Sequence, residues 1–270
     1  MTDQEMIIEA LGVQASFDVA LEARRRVEFL ATYLKASGLQ SYVLGISGGV
    51  DSLAAALMAQ RAVERLRAEG YRARFIAVRL PYGVQADESD AQRALETIGA
   101  DRVCTINIKP AADAMLGSLK ASGLDDVDAA REDFLLGNIK ARQRMIAQFA
   151  LAAVNRGLVI GTDHAAEALM GFFTKFGDGA ADVLPLSGLN KRRVRALARD
   201  LGAPRERVGK VPTADLENLA PLRPDEDAYG VTYDQIDDFL EGKVIDEAAR
   251  ERILQVYSFT THKRALPVTP

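Results

Sequence analysis

Four short apolar runs recur along the chain, separated by segments of helical period. They are Ser41 to Ile46 (SYVLGI), Arg74 to Leu80 (RFIAVRL), Arg102 to Ile108 (RVCTINI) and Leu158 to Gly161 (LVIG). Each is short, mostly apolar and partly β-branched, which predicts buried strands. Residues 4–37 read as helical, with Ile7, Ile8 and Leu11 on one stripe, Val27, Leu30, Ala31 and Leu34 on another, and Ser37-Gly38 as a stop. An Ala/Leu-rich helix follows the first run to about Glu69 and closes at Gly70. Asp87 to Ile98 is a third helical segment, capped by Gly99, and Pro110 suits the first turn of a fourth. Phe134 to Asn155 is a long helix without proline. Strands alternating with helices predict an α/β fold, a parallel sheet with helices on both faces.

After residue 170 the pattern changes. Gly171, Gly177, Gly179, Pro185 and Gly188 punctuate a loop region. An amphipathic helix, Lys191 to Leu201, ends at Gly202-Ala203-Pro204. Residues 203–230 hold four prolines and many charges and read as a mobile segment, as do residues 81–88. Helices near 232–241 and 246–258 follow. There is no internal repeat or low-complexity linker, so 1–270 reads as one domain with peripheral helices.

Composition narrows the chemistry. Lys plus Arg is 34 and Asp plus Glu 38, a net charge of −4, which argues against a dedicated nucleic-acid binder. The single cysteine, Cys104, excludes an internal disulfide and a Cys-rich metal site, and two histidines, His164 and His262, argue against a His-built one. No apolar stretch has the length of a membrane span, and Met1-Thr2-Asp3-Gln4-Glu5 lacks the features of a signal peptide, so the expected location is cytoplasmic.

The segment Gly45-Ile46-Ser47-Gly48-Gly49-Val50-Asp51-Ser52 joins the first strand to a helix, at the carboxyl edge of the sheet where ligands bind. Two glycines let backbone N–H groups turn inward, Ser47 and Ser52 add hydroxyls, and the helix directs its positive end at the same place. That is a cradle for an anion, most plausibly phosphate. Asp51 stands where a P-loop has lysine, and a carboxylate facing phosphate calls for a cation between them, hence Mg²⁺. A tight turn with Asp51 or Ser52 as N-cap also accounts for Gly-Gly taken alone.

The octet resembles the SGGxDS pyrophosphate loop of the N-type ATP pyrophosphatases, which cleave ATP between its α and β phosphates. Further blocks select among them: Gly137 to Arg142 (GNIKAR), Gly161 to Glu167 (GTDHAAE), Gly171 to Asp182 (GFFTKFGDGAAD), Pro212 to Leu216 (PTADL) and Thr261 to Arg264 (THKR). Together they resemble the ammonia-dependent bacterial NAD synthetases over about residues 16–264. Val50 and Phe176 depart from the commonest residues of that pattern without touching a chemical role.

The resemblance implies ATP- and Mg²⁺-dependent amidation of deamido-NAD by ammonia, through an adenylate, in a homodimer. By it, Asp51 and Glu167 hold Mg²⁺. Gly45, Ile46, Ser47, Gly48, Gly49, Val50, Asp51, Ser52, Thr162, Lys191 and Thr213 contact ATP, as do Arg79 and Gln85. Arg142, Lys175, Asp182, His262 and Lys263 bind deamido-NAD. Asp51, Glu167 and Lys191 are the catalytic set. Taken singly, several of these have ordinary readings: Glu167 as a surface helix residue, Arg142 with Lys140 and Arg144 as a solvated basic face, His262 as a surface histidine. Lys191, Arg195 and Arg199 share a helix face, for which a nucleic-acid patch is the other reading. Two alternatives of function remain at this point: another N-type ligase, such as a tRNA-modifying one, and a non-catalytic nucleotide-binding module.

Overall fold

A computed structural model describes residues 1–83, 88–123, 127–214, 219, 223–265, 267 and 269. The chain begins with α1 (Asp3–Ala10) and α2 (Val19–Ala36), then β1 (Ser41–Gly45), α3 (Val50–Ala68), β2 (Arg74–Arg79), α4 (Glu88–Ile98) and β3 (Arg102–Thr105). It continues through α5 (Lys109–Ala121), α6 (Ala129–Val154), β4 (Gly157–Val159), α7 (Ala165–Met170), α8 (Lys191–Asp200) and α9 (Arg205–Val208). A two-residue pair, β5 (Thr213–Ala214) and β6 (Arg223–Pro224), precedes α10 (Asp225–Tyr229), α11 (Tyr233–Leu240), α12 (Glu247–Phe259) and α13 (Thr261–Arg264).

The four predicted strands form one parallel sheet in the order β3-β2-β1-β4, with Ser41 opposite Arg74 on one side and Gly157 on the other. Alternate side chains serve opposite cores, as the strand period requires. Tyr42, Leu44, Phe75 and Ala77 pack with Leu30 and Leu34 of α2, Leu53 of α3 and Leu197 of α8. Val43, Ile76, Val78 and Val159 pack with Ala152 of α6 on the other face. Both faces are covered, which is why the strands read as apolar runs. A separate core joins Ile7 of α1, Leu169 of α7, Ile236 and Phe239 of α11 and Ile253 of α12. No helix among the described residues is long and apolar enough to cross a membrane.

The sheet order also locates the crevice. Successive strands step from β1 to β2 to β3, and the chain then returns to place β4 on the far side of β1. The strand order reverses between β1 and β4, and the loops leaving those two strands open away from each other at their carboxyl ends. They are the glycine-rich octet and the Gly161–Glu167 block.

Several element boundaries differ from expectation. The helical stretch 4–37 is two helices serving two cores, with Gly12 at φ +67° after the first and Asp18 capping the second through Leu21 N. The long helix starts at Ala129 rather than Phe134, because Asp128 caps it through Arg131 N. The third strand ends at Thr105, at the sheet edge. Residues 203–230 hold regular structure, α9, the β5–β6 pair and α10, where none was expected. Pro204 and Pro224, two of the four prolines of that segment, are the residues from which α9 and α10 start. Of the two segments expected to be mobile, 84–87, 215–218 and 220–222 lie outside the described residues.

The loop after β4 is locked to the α1–α2 connection at Gly188. Its φ is +77°, and a Cβ there would sit 2.6 Å from the Gly12 carbonyl oxygen. Gly188→Ala therefore meets both left-handed strain and a backbone clash. We expect it to lower stability by about 2–4 kcal/mol, read as a lower urea midpoint at unchanged m-value.

Candidate active site

The octet turns sharply out of β1. Gly48 takes φ +86°, and a Cβ on it would lie 3.2 Å from Ala91 N, so the turn packs directly on the start of α4. Ser47 Oγ accepts from Gly49 N at 3.2 Å and lies 3.1 Å from Ser52 Oγ. The N-cap of α3 is Gly49, and no side chain caps that end, so neither Asp51 nor Ser52 fills the capping role. The first-turn N–H groups and the helix dipole remain available to an anion. At the strand end, Gly45 N donates to Gln148 Oε1 at 2.7 Å, and the Ile46 carbonyl accepts from buried Arg79 at 2.8 Å.

Behind this turn lies a buried cation. Lys191 is fully buried, and its Nζ donates to Asp51 Oδ1 at 2.9 Å and Oδ2 at 2.7 Å. A lysine at the first residue of a helix opposes the helix dipole. The opposition is offset from another helix, because Asp237 of α11 accepts Lys191 N at 2.9 Å and Arg192 N at 2.7 Å. The Lys191 ammonium also lies 5.0 Å from the centre of the Tyr233 ring.

His164 completes the floor. Its Nδ1 accepts from Glu167 N at 3.4 Å and so caps α7. Its Nε2 stands 3.4 Å from Asp51 Oδ1 and 3.5 Å from Glu167 Oε1. With Nδ1 accepting, the proton of the neutral ring belongs on Nε2, facing the two carboxylates. Burial and then the Lys191 charge lower the His164 pKa, so the ring is neutral. Burial on its own would raise the Asp51 carboxyl, but Lys191 and His164 hold it well below the usual carboxylate range. Glu167 has no such cation of its own. Burial and the nearby Asp51 charge push it well above its ordinary value.

That imbalance bears on the metal. Donor atoms of Asp51, His164 and Glu167 lie within 4.8 Å of one another. Two carboxylate oxygens form a hard donor set, and a divalent cation would relieve the repulsion that Glu167 feels. The residues fit Mg²⁺, with Asp51 and Glu167 as the natural holders.

A cleft of about 460 Å³ opens above this floor, lined by Gly45, Ile46, Ser47, Gly49, Val50, Asp51, Ser52, Arg79, Thr162, Glu167, Thr213 and Lys263 among others. Most of the residues expected at the ATP and metal sites thus come together. Gly48, in the turn, faces α4 rather than the cleft, and Lys191 lies behind Asp51. Gln85 lies outside the described residues. Arg142, Lys175 and His262 form a second group: Arg142 Nη2 donates to the Lys175 carbonyl at 3.2 Å, and Lys175 Nζ to the His262 carbonyl. Lys263 joins the two groups, donating to the carbonyls of Gly171 at 2.8 Å and Phe173 at 2.9 Å while it lines the cleft. Asp182 joins neither. Its Oδ2 accepts from Val159 N at 2.7 Å and anchors the end of β4.

Three features escaped the sequence reading. His164 stands in the Gly161–Glu167 block, where the resemblance gives it no role. Lys210 and Asp225 also line the cleft. The alternative of a basic patch from Lys191, Arg195 and Arg199 loses its first member, since Lys191 is buried, and Arg195 is half-buried, leaving Arg199 exposed.

The chain was compared with known proteins. The NAD synthase family model matches residues 22–267. An NH3-dependent NAD+ synthetase from Paraburkholderia phytofirmans is 65% identical over 267 residues, 99% of this chain and 93% of that protein. The crystal structure of NAD+ synthetase from Burkholderia pseudomallei superposes with a TM-score of 0.85 at 61% identity, covering 98% of this chain and 96% of that one. The structure of NMN synthetase from Francisella tularensis gives a TM-score of 0.81 at 36% identity, covering 94% and 99%.

The floor sets a pH dependence of stability. Burial, then the charges of Asp178 and Asp51, push the Asp163 carboxyl up to about 8. An unfolded aspartate titrates near 3.9, so between roughly pH 4 and 8 the folded chain binds the extra proton, and this contribution to stability is lost as pH rises. We expect the Tm of metal-free protein to fall from pH 5 to 8, and Asp163→Asn to shrink that fall and raise Tm at pH 8. Calorimetry at both pH values checks it. An unchanged difference between them would remove Asp163 as its source.

Proposed function

The chain belongs to the NAD synthase family, and we propose that its cleft carries out the ATP-dependent amidation of deamido-NAD by ammonia, giving NAD, AMP and pyrophosphate. The observation that carries this reading to particular residues is the Lys191–Asp51 pair, which sets a buried cation and a carboxylate against an uncapped helix start.

The nicotinate carboxylate is a poor acyl donor because hydroxide leaves badly. Transfer of the adenylyl group of ATP onto a carboxylate oxygen forms a C–O–P anhydride and releases pyrophosphate. Ammonia then attacks the acyl carbon, and AMP departs. In the first step two anions meet. The amides of residues 47–52 receive phosphate oxygens, the Ser47 and Ser52 hydroxyls donate to them, and Lys191 holds Asp51 in place while offsetting negative charge. Thr162 and Thr213, both on the cleft wall, contact ATP. Asp51 and Glu167 hold Mg²⁺, which when bound neutralises phosphate charge. Arg142, Lys175, His262 and Lys263 take deamido-NAD, guanidinium and ammonium facing its carboxylate or phosphates. Asp182 belongs to that site in the same reading, reached through the loop it anchors.

Ammonia is the direct nucleophile. Cys104 is half-buried in β3 beside apolar neighbours, in no position to act as a glutaminase nucleophile. The exposed Ile146 and Val154 of α6 and Phe259 of α12 support a homodimer, since a second copy would cover them. A cytoplasmic location suits a reaction that draws on ATP.

The likeness to an NMN synthetase raises a second reading, in which nicotinate mononucleotide is amidated. The dinucleotide is favoured by the higher identity to an NAD+ synthetase. It is also favoured by the Arg142–Lys175–His262 group, whose members do not line the cleft and would serve a longer substrate.

The test is incubation of the purified chain with ATP, Mg²⁺, ammonium and either nicotinate substrate. We expect NAD from deamido-NAD at a rate well above that with the mononucleotide, and no product when glutamine replaces ammonium. Because only NH₃ has a lone pair, KM for total ammonium should fall as pH rises toward the ammonium pKa. Glutamine-driven synthesis in ammonia-free buffer would refute direct use of ammonia. Asp51→Asn and Glu167→Gln should each lower kcat/KM by about 3 kcal/mol, roughly a hundredfold. Each should also weaken Mn²⁺ binding, measured by electron paramagnetic resonance; Asp51→Asn should in addition lower Tm, because it leaves buried Lys191 without its carboxylate. Unweakened Mn²⁺ binding in either variant would take that residue out of the metal site.

A further inference from the structure

The octet turn rests on the start of α4, and that contact brings an unassigned cluster of charge beside it. A Cβ on Gly48 would lie 3.3 Å from the Asp90 carbonyl carbon. The Asp90 carboxylate accepts Arg207 Nη1 at 2.9 Å and Arg93 Nη2 at 2.9 Å on Oδ1, and Lys210 Nζ at 2.7 Å on Oδ2. Among the described residues, three cations therefore share one carboxylate, and the cluster carries an excess of positive charge one side chain away from the glycine turn. The members are not equivalent. Arg207 is buried, its side chain 6% exposed, and fixes Asp90 from beneath. Lys210 is 30% exposed and lines the cleft together with Ser47, Gly49 and Thr213.

We propose that Lys210 is a further contact for the terminal phosphates of ATP and for the pyrophosphate that leaves, with Asp90 as the residue that positions it. This rests on the reading that the cleft binds ATP and splits it between the α and β phosphates. A P-loop supplies such a lysine from within its own turn. Here that position is Asp51, and the ammonium nearest to it, Lys191, is buried and engaged by both Asp51 oxygens. The phosphate tail is left without a mobile cation from the loop itself. Lys210 can fill that need, because a flexible four-carbon stem lets its ammonium exchange a carboxylate oxygen for a phosphate oxygen. Asp90 keeps Arg207 and Arg93 when it does, so the exchange strands no buried charge. Held this way, the ammonium waits at the rim with its swing restricted, which lowers the entropy lost on contact.

The experiment is calorimetric titration of ATP, pyrophosphate and AMP, each with Mg²⁺, into the full-length wild type, Lys210→Gln and Lys210→Arg. Lys210→Gln should weaken ATP and pyrophosphate about tenfold, the worth of one charge-assisted hydrogen bond. AMP, which lacks the β and γ phosphates, should bind unchanged, and KM for deamido-NAD should hold. Lys210→Arg should restore most of the ATP and pyrophosphate affinity. Unchanged ATP and pyrophosphate affinity in Lys210→Gln would overturn the proposal. So would an equal loss for AMP and ATP, the mark of a structural role. Failure of the wild type itself to bind ATP and pyrophosphate would instead overturn the functional reading beneath it.

Discussion

The site depends on one buried ion pair. Taking an ammonium and a carboxylate out of water is costly, and their attraction repays it only where every remaining donor and acceptor is served. Here the pair is served from several sides. Lys191 enters at the start of α8, Asp51 at the start of α3, and His164 from the loop after β4 lies within 3.4 Å of both. Asp237 of α11 holds the Lys191 backbone. Four parts of the chain, distant in sequence, meet at one contact. Removing the lysine would strand Asp51 against Glu167, and removing the aspartate would leave a buried cation with a neutral imidazole for company. The pair thus ties the sheet to the second core formed by α7, α11 and α12, and it fixes the height at which the octet sits above the floor.

Much of this was legible from the residues, for physical reasons that differ from part to part. Strands buried on both faces must be apolar throughout, so Tyr42 to Leu44 and Phe75 to Val78 announced themselves. The octet needs glycine where Gly48 adopts a left-handed backbone against α4, and no side chain could replace it. What stayed hidden depends on partners far along the chain. Lys191 begins the run Lys191-Arg192-Arg193, which locally reads as a solvated basic face. Its burial follows from Asp51 and Asp237, residues 140 and 46 positions away. Pro204 and Pro224 look like breakers until the helices they start are seen. Asp182 stands in a block that resemblance assigns to substrate, yet its carboxylate is engaged with Val159 N, a contact no local pattern contains.

The local sequence of α8 illustrates why such places carry chemistry. A helix opening on three cations opposes its own dipole, and no isolated peptide would choose it. Elsewhere in the fold local preference and global structure agree: Thr2, Asp18, Asp128, Thr232 and Asp246 cap their helices with side-chain oxygens. Agreement across levels is the ordinary condition of a folding sequence, and departures concentrate where function demands them. At α8 the departure is compensated by acidic residues of α11, Asp237 to the backbone and Asp238 with Glu241 to Arg192.

Charge then separates the floor of the cleft from its rim. The floor holds Asp51, Glu167 and Asp225 with one ammonium, Lys191, and the raised positions of Glu167 and Asp225 follow from burial and the negative charge they share with Asp51. The rim holds Lys210 and Lys263, Lys210 after α9 and Lys263 in α13. Two substrates that are both anions are attracted by the rim, while burial holds Glu167 and Asp225 toward their neutral forms on the floor. On the proposed reading the two layers act in sequence. Rim cations would draw the phosphates in, and Asp51 and Glu167 would hold a divalent cation that offsets the charge they share. The fold sustains this concentration of carboxyl groups because Lys191 is anchored from behind, by Asp237, rather than by the ligand.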